Sequence, residues 1–342
     1  QSFARSTCTG SKPSEKLSQT LALIRDAGGT AEEPDKRFPL PHVNIPAKEA
    51  LTGNEVYGCS LSLRGNIAMN FYLIPTEDVL ADPGAYVEMK GVRFPVAEAP
   101  TRVEGENTLY RFTVELPAKQ MNEVVTLRLY SGDGELLTLL RRGEDITATG
   151  LQFTIQEYIE RTRSESDDEI LIALVNAMSD YGSCAQAFFQ YDLESRAAVL
   201  ADLDTVTLED LAAYKPKLST TGRTGLSYQG CSLVLSSETA IRCYFTLDEG
   251  EIGDYSFKVG ETVLTPVLCE QGWYVEVPNI NAFNLSSTYV ITATGPEGKI
   301  FTVRYSALSY ALSVMEKGED AALQELVKAL FLYNKAARAY FA

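Results

Sequence analysis

The sequence predicts an α+β chain of two tandem repeats, each a small antiparallel β-sandwich followed by a short and a long α-helix. Three observations predict it. LVNAMSDYGSCAQAFF (Leu174–Phe189) returns as LVKALFLYNKAARAYF (Leu326–Phe341), offset by 326 − 174 = 152 residues. From Leu171/Leu323 to Phe189/Phe341, eight of nineteen positions are identical, Tyr181/Tyr333 among them. GCSLSL at Gly58–Leu63 is answered by GCSLVL at Gly230–Leu235, offset 172. In both halves a run of strand-like segments precedes the helical ones, the order of an α+β fold.

Residues 1–50 have no counterpart in the second half. Ser14–Asp26 reads as a helix ended by Gly28-Gly29, and Thr30–Pro46, with four prolines and the sole histidine His42, as an extended strap. Repeat unit 1 is expected over 51–193. YGCSLSL and IAMNFYLI flank Arg64-Gly65-Asn66, a hairpin signature. Strands are expected at Ala85–Lys90, Leu109–Leu116, Val124–Tyr130 and Glu135–Arg141, with Ser131-Gly132-Asp133-Gly134 as a turn. Phe153–Arg163 reads as the short helix.

The long helix follows. Leu171, Leu174, Met178, Tyr181, Ala185 and Phe188 alternate by three and four, one apolar face. Ser166 with Glu169 reads as its capping box. This stripe of aromatic and small residues fits a core-facing helix better than a cofactor slot. Whether each long helix covers its own sandwich or its neighbour's is open at this stage.

A linker with a short helix is expected over 194–221, opened by the capping-box pattern Thr207–Asp210 and stopped by Lys215-Pro216, with Ser219–Gly225 as a polar hinge. Repeat unit 2 spans 222–342. AIRCYFTL answers IAMNFYLI. Strands are expected at Tyr255–Val259, Gly272–Val277, Tyr289–Thr294 and Lys299–Arg304, and Tyr305–Val314 answers the short helix. Glu319 and Asp320 sit where the dipole of the last helix favours negative charge. The fall in offset from 172 to 152 assigns extra residues to the first copy, part of them Leu136–Gly150.

The chain has 342 residues, 30 Lys and Arg against 46 Asp and Glu, and a net charge of −16. That acidity argues against nucleic acid as a partner, because phosphate binding needs a basic surface. Eleven acidic residues fall between Ser164 and Asp210 with Arg196 as the one base, which reads as a solvated face or as a patch for cations or a basic partner. No apolar run is long enough for a transmembrane helix, so no membrane insertion is expected. The start at Gln1 reads as a processed or excised piece. Of six cysteines, Cys59 and Cys231 occupy matching strand positions and read as buried thiols; Cys231 and Cys243 flank a hairpin and pair if the register puts them on one face.

Catalytic constellations are missing at the level of motifs. One histidine in a proline-rich strap is a poor base for a triad, and GxSxG, HExxH, a Walker loop, GxGxxG and a calcium loop are absent. No catalytic residue, cofactor or metal ligand is assigned, and the chain is expected not to be an enzyme. The lone tryptophan Trp273, with Tyr274, is the one candidate ligand site, in a carbohydrate-binding module using exposed aromatics near it. Leu109-Tyr110 at the matching place in the first copy favours core packing instead. Asn284-Leu285-Ser286 matches a glycosylation sequon to which no weight attaches.

LVNAMSDYGSCAQAFFQY and YSALSYALSV…LVKALFLYNKAARAYF resemble a recurrent module of large secreted surface proteins of gut Firmicutes (Clostridia). That family opens on a strand of a small residue followed by SL and closes on "SxLSYA" and "LxKALYxYNxAAxxYF" helices, often at the C-terminus. The chain ends at Phe341-Ala342, as the pattern predicts. The resemblance covers residues 51 to 342 and departs at Gln156-Glu157-Tyr158, where SYA is lost. The family has no established activity, so it carries over no catalytic residue. It implies an extracellular or cell-surface module, a structural spacer or a protein-binding or adhesion unit, with an unknown protein or glycan as partner.

Overall fold

A computed structural model describes residues 51–63, 66–221, 225–235, 239–248, 250–318 and 320–342. The expected N-terminal helix and strap, with Cys8 and His42, lie outside the described residues, as do Arg64, Gly65 and Glu319. The chain is mixed α+β with several, mostly antiparallel, sheets. It divides into two compact units. The first comprises residues up to Ser62, Ala68–Val114 and Asn122–Ile172; the second comprises Leu63–Ile67, Glu115–Met121 and Ala173–Ala342. The division falls at Ile172/Ala173, inside a helix, where the sequence reading set its boundary at 193/194. From Ala173 on, the apolar face of the first long helix is buried within the second unit.

The first unit holds β1 (Asn54–Ser62), β2 (Ala68–Ile74), α1 (Glu77–Ala81), β3 (Tyr86–Met89), β4 (Val92–Pro95), β5 (Thr101–Glu104), β6 (Asn107–Glu115), β7 (Val125–Tyr130), β8 (Leu139–Arg141), β9 (Glu144–Asp145), β10 (Leu151–Phe153) and α2 (Ile155–Glu165). One sheet runs β5-β6-β2-β1-β8-β9, the other β10-β7-β3-β4. The extra residues 136–150 supply β8 and β9. β8 pairs parallel to β1, so this sheet is not wholly antiparallel as expected. Alternating Val125, Leu127 and Leu129 are buried, as a strand with one core face requires. α2 starts on a complete capping box between Thr154 and Glu157.

α3 (Glu169–Phe189) carries the first copy of the repeated sequence. Its cap is Asp168, whose carboxylate accepts from the amides of Ile170 and Leu171; Ser166, the expected cap, instead accepts from the amide of Asp168 and ends α2. A carboxylate one residue before the helix reaches the orphan amides directly, so it displaces the serine farther back.

The second unit continues with α4 (Leu208–Leu211), β11 (Lys217–Thr221), β12 (Leu226–Leu235), β13 (Thr239–Leu247), β14 (Ser256–Val259), β15 (Thr262–Leu264), β16 (Val267–Cys269), β17 (Gly272–Val277), β18 (Tyr289–Thr294), β19 (Ile300–Tyr305), α5 (Ala307–Lys317) and α6 (Ala321–Phe341). Its sheets run β11-β19-β18-β14-β15 and β12-β13-β17-β16. Phe245 on β13 meets Phe257 on β14 and Phe301 on β19, with centroids 5.6 and 5.8 Å apart, so the inner faces of these sheets share one aromatic core. Part of the expected polar hinge is the strand β11. All five of its side chains are exposed and only its backbone, paired with β19, holds it, so no apolar alternation marked it. The expected box at Thr207 forms, its amide and hydroxyl both donating to Asp210.

Candidate functional site

The β12–β13 hairpin positions the site. Its register pairs Tyr228 with Phe245 and Gly230 with Tyr244, leaving Gln229 as an extra bulge residue. Gly230 takes φ +134°, a conformation side-chain-bearing residues resist. Beyond the bulge, Cys231 lies directly opposite Cys243 and the two form a disulfide with Cα atoms 4.3 Å apart. Of the two readings the sequence left open for Cys231, the register selects the pair with Cys243 over a free thiol. Cys59 remains a free, buried thiol, with burial pushing it up to about 12.

Alternation then sorts β13 and its neighbour β17. Ile241, Cys243, Phe245, Val275 and Val277 are buried on the inner face. Arg242, Tyr244, Tyr274 and Glu276 occupy the outer face, all half-buried. Tyr244 and Tyr274 sit side by side, centroids 5.8 Å apart and tilted by 50°. The Arg242 guanidinium lies 4.7 Å over the Tyr274 ring and donates from Nε to Glu276 Oε2 at 2.6 Å, which raises its already high pKa. The Ser232 and Tyr244 hydroxyls are 3.0 Å apart.

The predicted pair Trp273 and Tyr274 is split by the pleat. Trp273 pairs with Phe245 and Leu268 at the rim of the inner face and is partly buried, while Tyr274 joins the outer row. Sequence reasoning missed Tyr244 and Arg242. Their signal was the alternation in Ile241-Arg242-Cys243-Tyr244-Phe245, which places them opposite the core residues.

A second feature of this unit is the repeated helix. Tyr181 on α3 stacks on Tyr333 on α6, centroids 5.6 Å apart and planes within 18°. Burial pushes both phenols up, and the Tyr181 hydroxyl bonds the side chain of Thr239. Beside them lies a cavity of about 30 Å³, lined in part by Ile67 and Thr239, Leu116 and Ile280, and Ala118 and Ala282. The Leu116 amide donates to Ile67 O at 2.9 Å, and the Ile280 amide to Thr239 O at 2.8 Å. The space suits a single water, not a cofactor. Gly182 lets the Ala118–Met121 turn press on α3; a Cβ there would stand 2.6 Å from Met121 Sδ and 3.1 Å from Ala118 O. At the matching place on α6, Asn334 donates to Ala282 O at 2.6 Å and Phe283 O at 3.2 Å.

The acidic stretch 164–210 spends many of its carboxylates on the chain itself. Buried Asp180 accepts from the amides of Leu200 and Ala201, Asp204 pairs with Lys328, and Asp168 and Asp210 cap helices. Beside Asp180, Ser183 and Gln186 hold the carbonyls of Ala197 and Asp192. Among the described residues no group of three or more His, Cys, Asp or Glu is arranged to hold a metal ion, and no helix is long and apolar enough to cross a membrane.

No protein-family model matches the chain, and a search of curated proteins finds no match.

Proposed function

We propose that the chain is a non-enzymatic extracellular module of a bacterial surface protein, duplicated internally, serving as a structural spacer or a protein-binding and adhesion unit. The observation that carries it is the pairing about the stacked tyrosines. Leu116→Ile67 and Ile280→Thr239 are the same kind of backbone bond, with Thr239 172 residues after Ile67 and Ile280 164 after Leu116, a value between the 172 and 152 offsets of the two copies, and Tyr181 meets its own counterpart Tyr333. Matched contacts of this kind support two tandem repeats joined through their long helices, as an isologous interface is joined. The Cys231–Cys243 disulfide supports an oxidising, extracellular compartment. The resemblance to the Clostridial surface-protein module points the same way and stays an inference from the helical motifs.

The test is capture by the purified chain from intact bacterial cells, host mucin and serum proteins, with the chain immobilised and each ligand titrated. An adhesion unit retains a ligand saturably and stoichiometrically and releases it unchanged; a spacer retains none. Multiple-turnover conversion of any ligand contradicts the proposal.

A further inference from the structure

The outer face of the β12–β13–β17–β16 sheet differs in kind from the rest of an acidic chain. We propose that it binds a neutral carbohydrate, a sugar ring resting against Tyr274 and Tyr244 with its hydroxyls bonded by Arg242 and Glu276. This goes beyond a spacer or adhesion role and does not depend on which protein carries the chain.

The first argument is exposure. Two adjacent aromatic rings stay partly exposed on a sheet face, where burying them against a ligand is favourable. The same position in the first unit, Tyr72, is 4% exposed beneath Tyr57 and the Arg102 guanidinium, so an open ring is not a requirement of the hairpin.

The second is charge. The chain carries a net −16, yet the two charges of this row, Arg242 and Glu276, neutralise each other at 2.6 Å. A polyanion meets an acidic protein with no free cation in the row, and a cationic partner meets a carboxylate already paired. An uncharged polar ligand pays neither cost.

The third is hydrogen bonding. Arg242 commits Nε to Glu276, leaving its terminal N–H groups as donors, and Glu276 keeps Oε1 as an acceptor. A donor and an acceptor fixed next to an aromatic face match a pyranose, which has an apolar C–H face and a rim of hydroxyls.

The test is affinity electrophoresis of the full chain in gels containing xylan, galactomannan, mixed-linkage glucan or polygalacturonate. At least one of the three neutral polysaccharides should retard it. Tyr274→Ala should weaken that retardation about tenfold or more. Tyr274→Phe, which keeps the ring and the fold, should retain it, and Arg242→Gln should weaken it with the melting temperature unchanged. Retardation by none of the neutral polysaccharides, retardation by polygalacturonate alone, retardation untouched by Tyr274→Ala and Arg242→Gln, or capture of a protein ligand through this face would each overturn the proposal.

Discussion

The hairpins β1–β2 and β12–β13 share a pairing register and differ in what lies on top of it. Both carry a bulge at the same place, between Val56 and Gly58 in one and Tyr228 and Gly230 in the other. Both set a serine hydroxyl beside a tyrosine hydroxyl: Ser60 and Tyr72 at 3.2 Å, Ser232 and Tyr244 at 3.0 Å. In the first unit the extra bulge residue is Tyr57, which packs against Tyr72, Ile74 and Leu109 and donates to Glu104. In the second it is Gln229, exposed and turned to Thr246. β2 is accordingly buried on both faces and β13 on one. One side chain at a bulge thus helps decide whether a sheet face becomes core or surface, with the hairpin register unchanged.

That contrast has consequences of graded size. Tyr72→Ala empties a covered site and should cost about 3–5 kcal/mol, whereas Tyr244→Ala on the open face should cost about 1 kcal/mol. Urea unfolding of the two variants measures the difference, and equal losses would break the comparison. Replacing Cys231 and Cys243 by alanine should cost about 2–3 kcal/mol, as loss of a short-loop disulfide does. Reductant should reproduce that loss in the wild-type chain, while the free, buried Cys59 stays unalkylated until unfolding. Smaller effects are expected on the long helices. Asn334→Ala strands two carbonyls for about 1–3 kcal/mol, and Gly182→Ala, which forces Met121 aside, costs a similar or smaller amount.

The smallest effect is pH-dependent. Amide hydrogen bonds from Gly132 and Gly84 hold the exposed Asp82 carboxyl below the usual aspartate range. A carboxyl depressed in the folded state adds stability above its unfolded pKa and loses it as pH falls through the folded value. Asp82→Asn should therefore lower the melting temperature at neutral pH, and the gap from wild type should narrow in acid below about pH 4.

Much of this fold is legible in the sequence, for definite reasons. The long helices announced themselves because Leu174, Met178 and Tyr181 repeat at helical spacing and do so twice. The strand Tyr289–Thr294 was read to the residue because its neighbours are turn formers. β11, β4 and β5 escaped because backbone pairing holds them while most of their side chains face solvent, so burial left no pattern. The choice between Ser166 and Asp168 turned on a two-residue shift that either side chain could satisfy. At the site, Trp273 drew attention as the lone tryptophan, yet strand parity gives Tyr274 a different set of neighbours from Trp273. Tyr244 and Arg242 enter through cross-strand pairing, which needs the register that the bulge sets.

The outer face of the second hairpin is partly exposed where that of the first is covered. Tyrosine nitration of the native chain, mapped by mass spectrometry, tests it most directly. Tyr244 and Tyr274 should be modified while Tyr72 stays protected, and Tyr57→Gln, which copies the second unit's bulge residue, should raise the reactivity of Tyr72. Nitration of Tyr72 in the wild-type chain at the rate of Tyr274 would contradict the account.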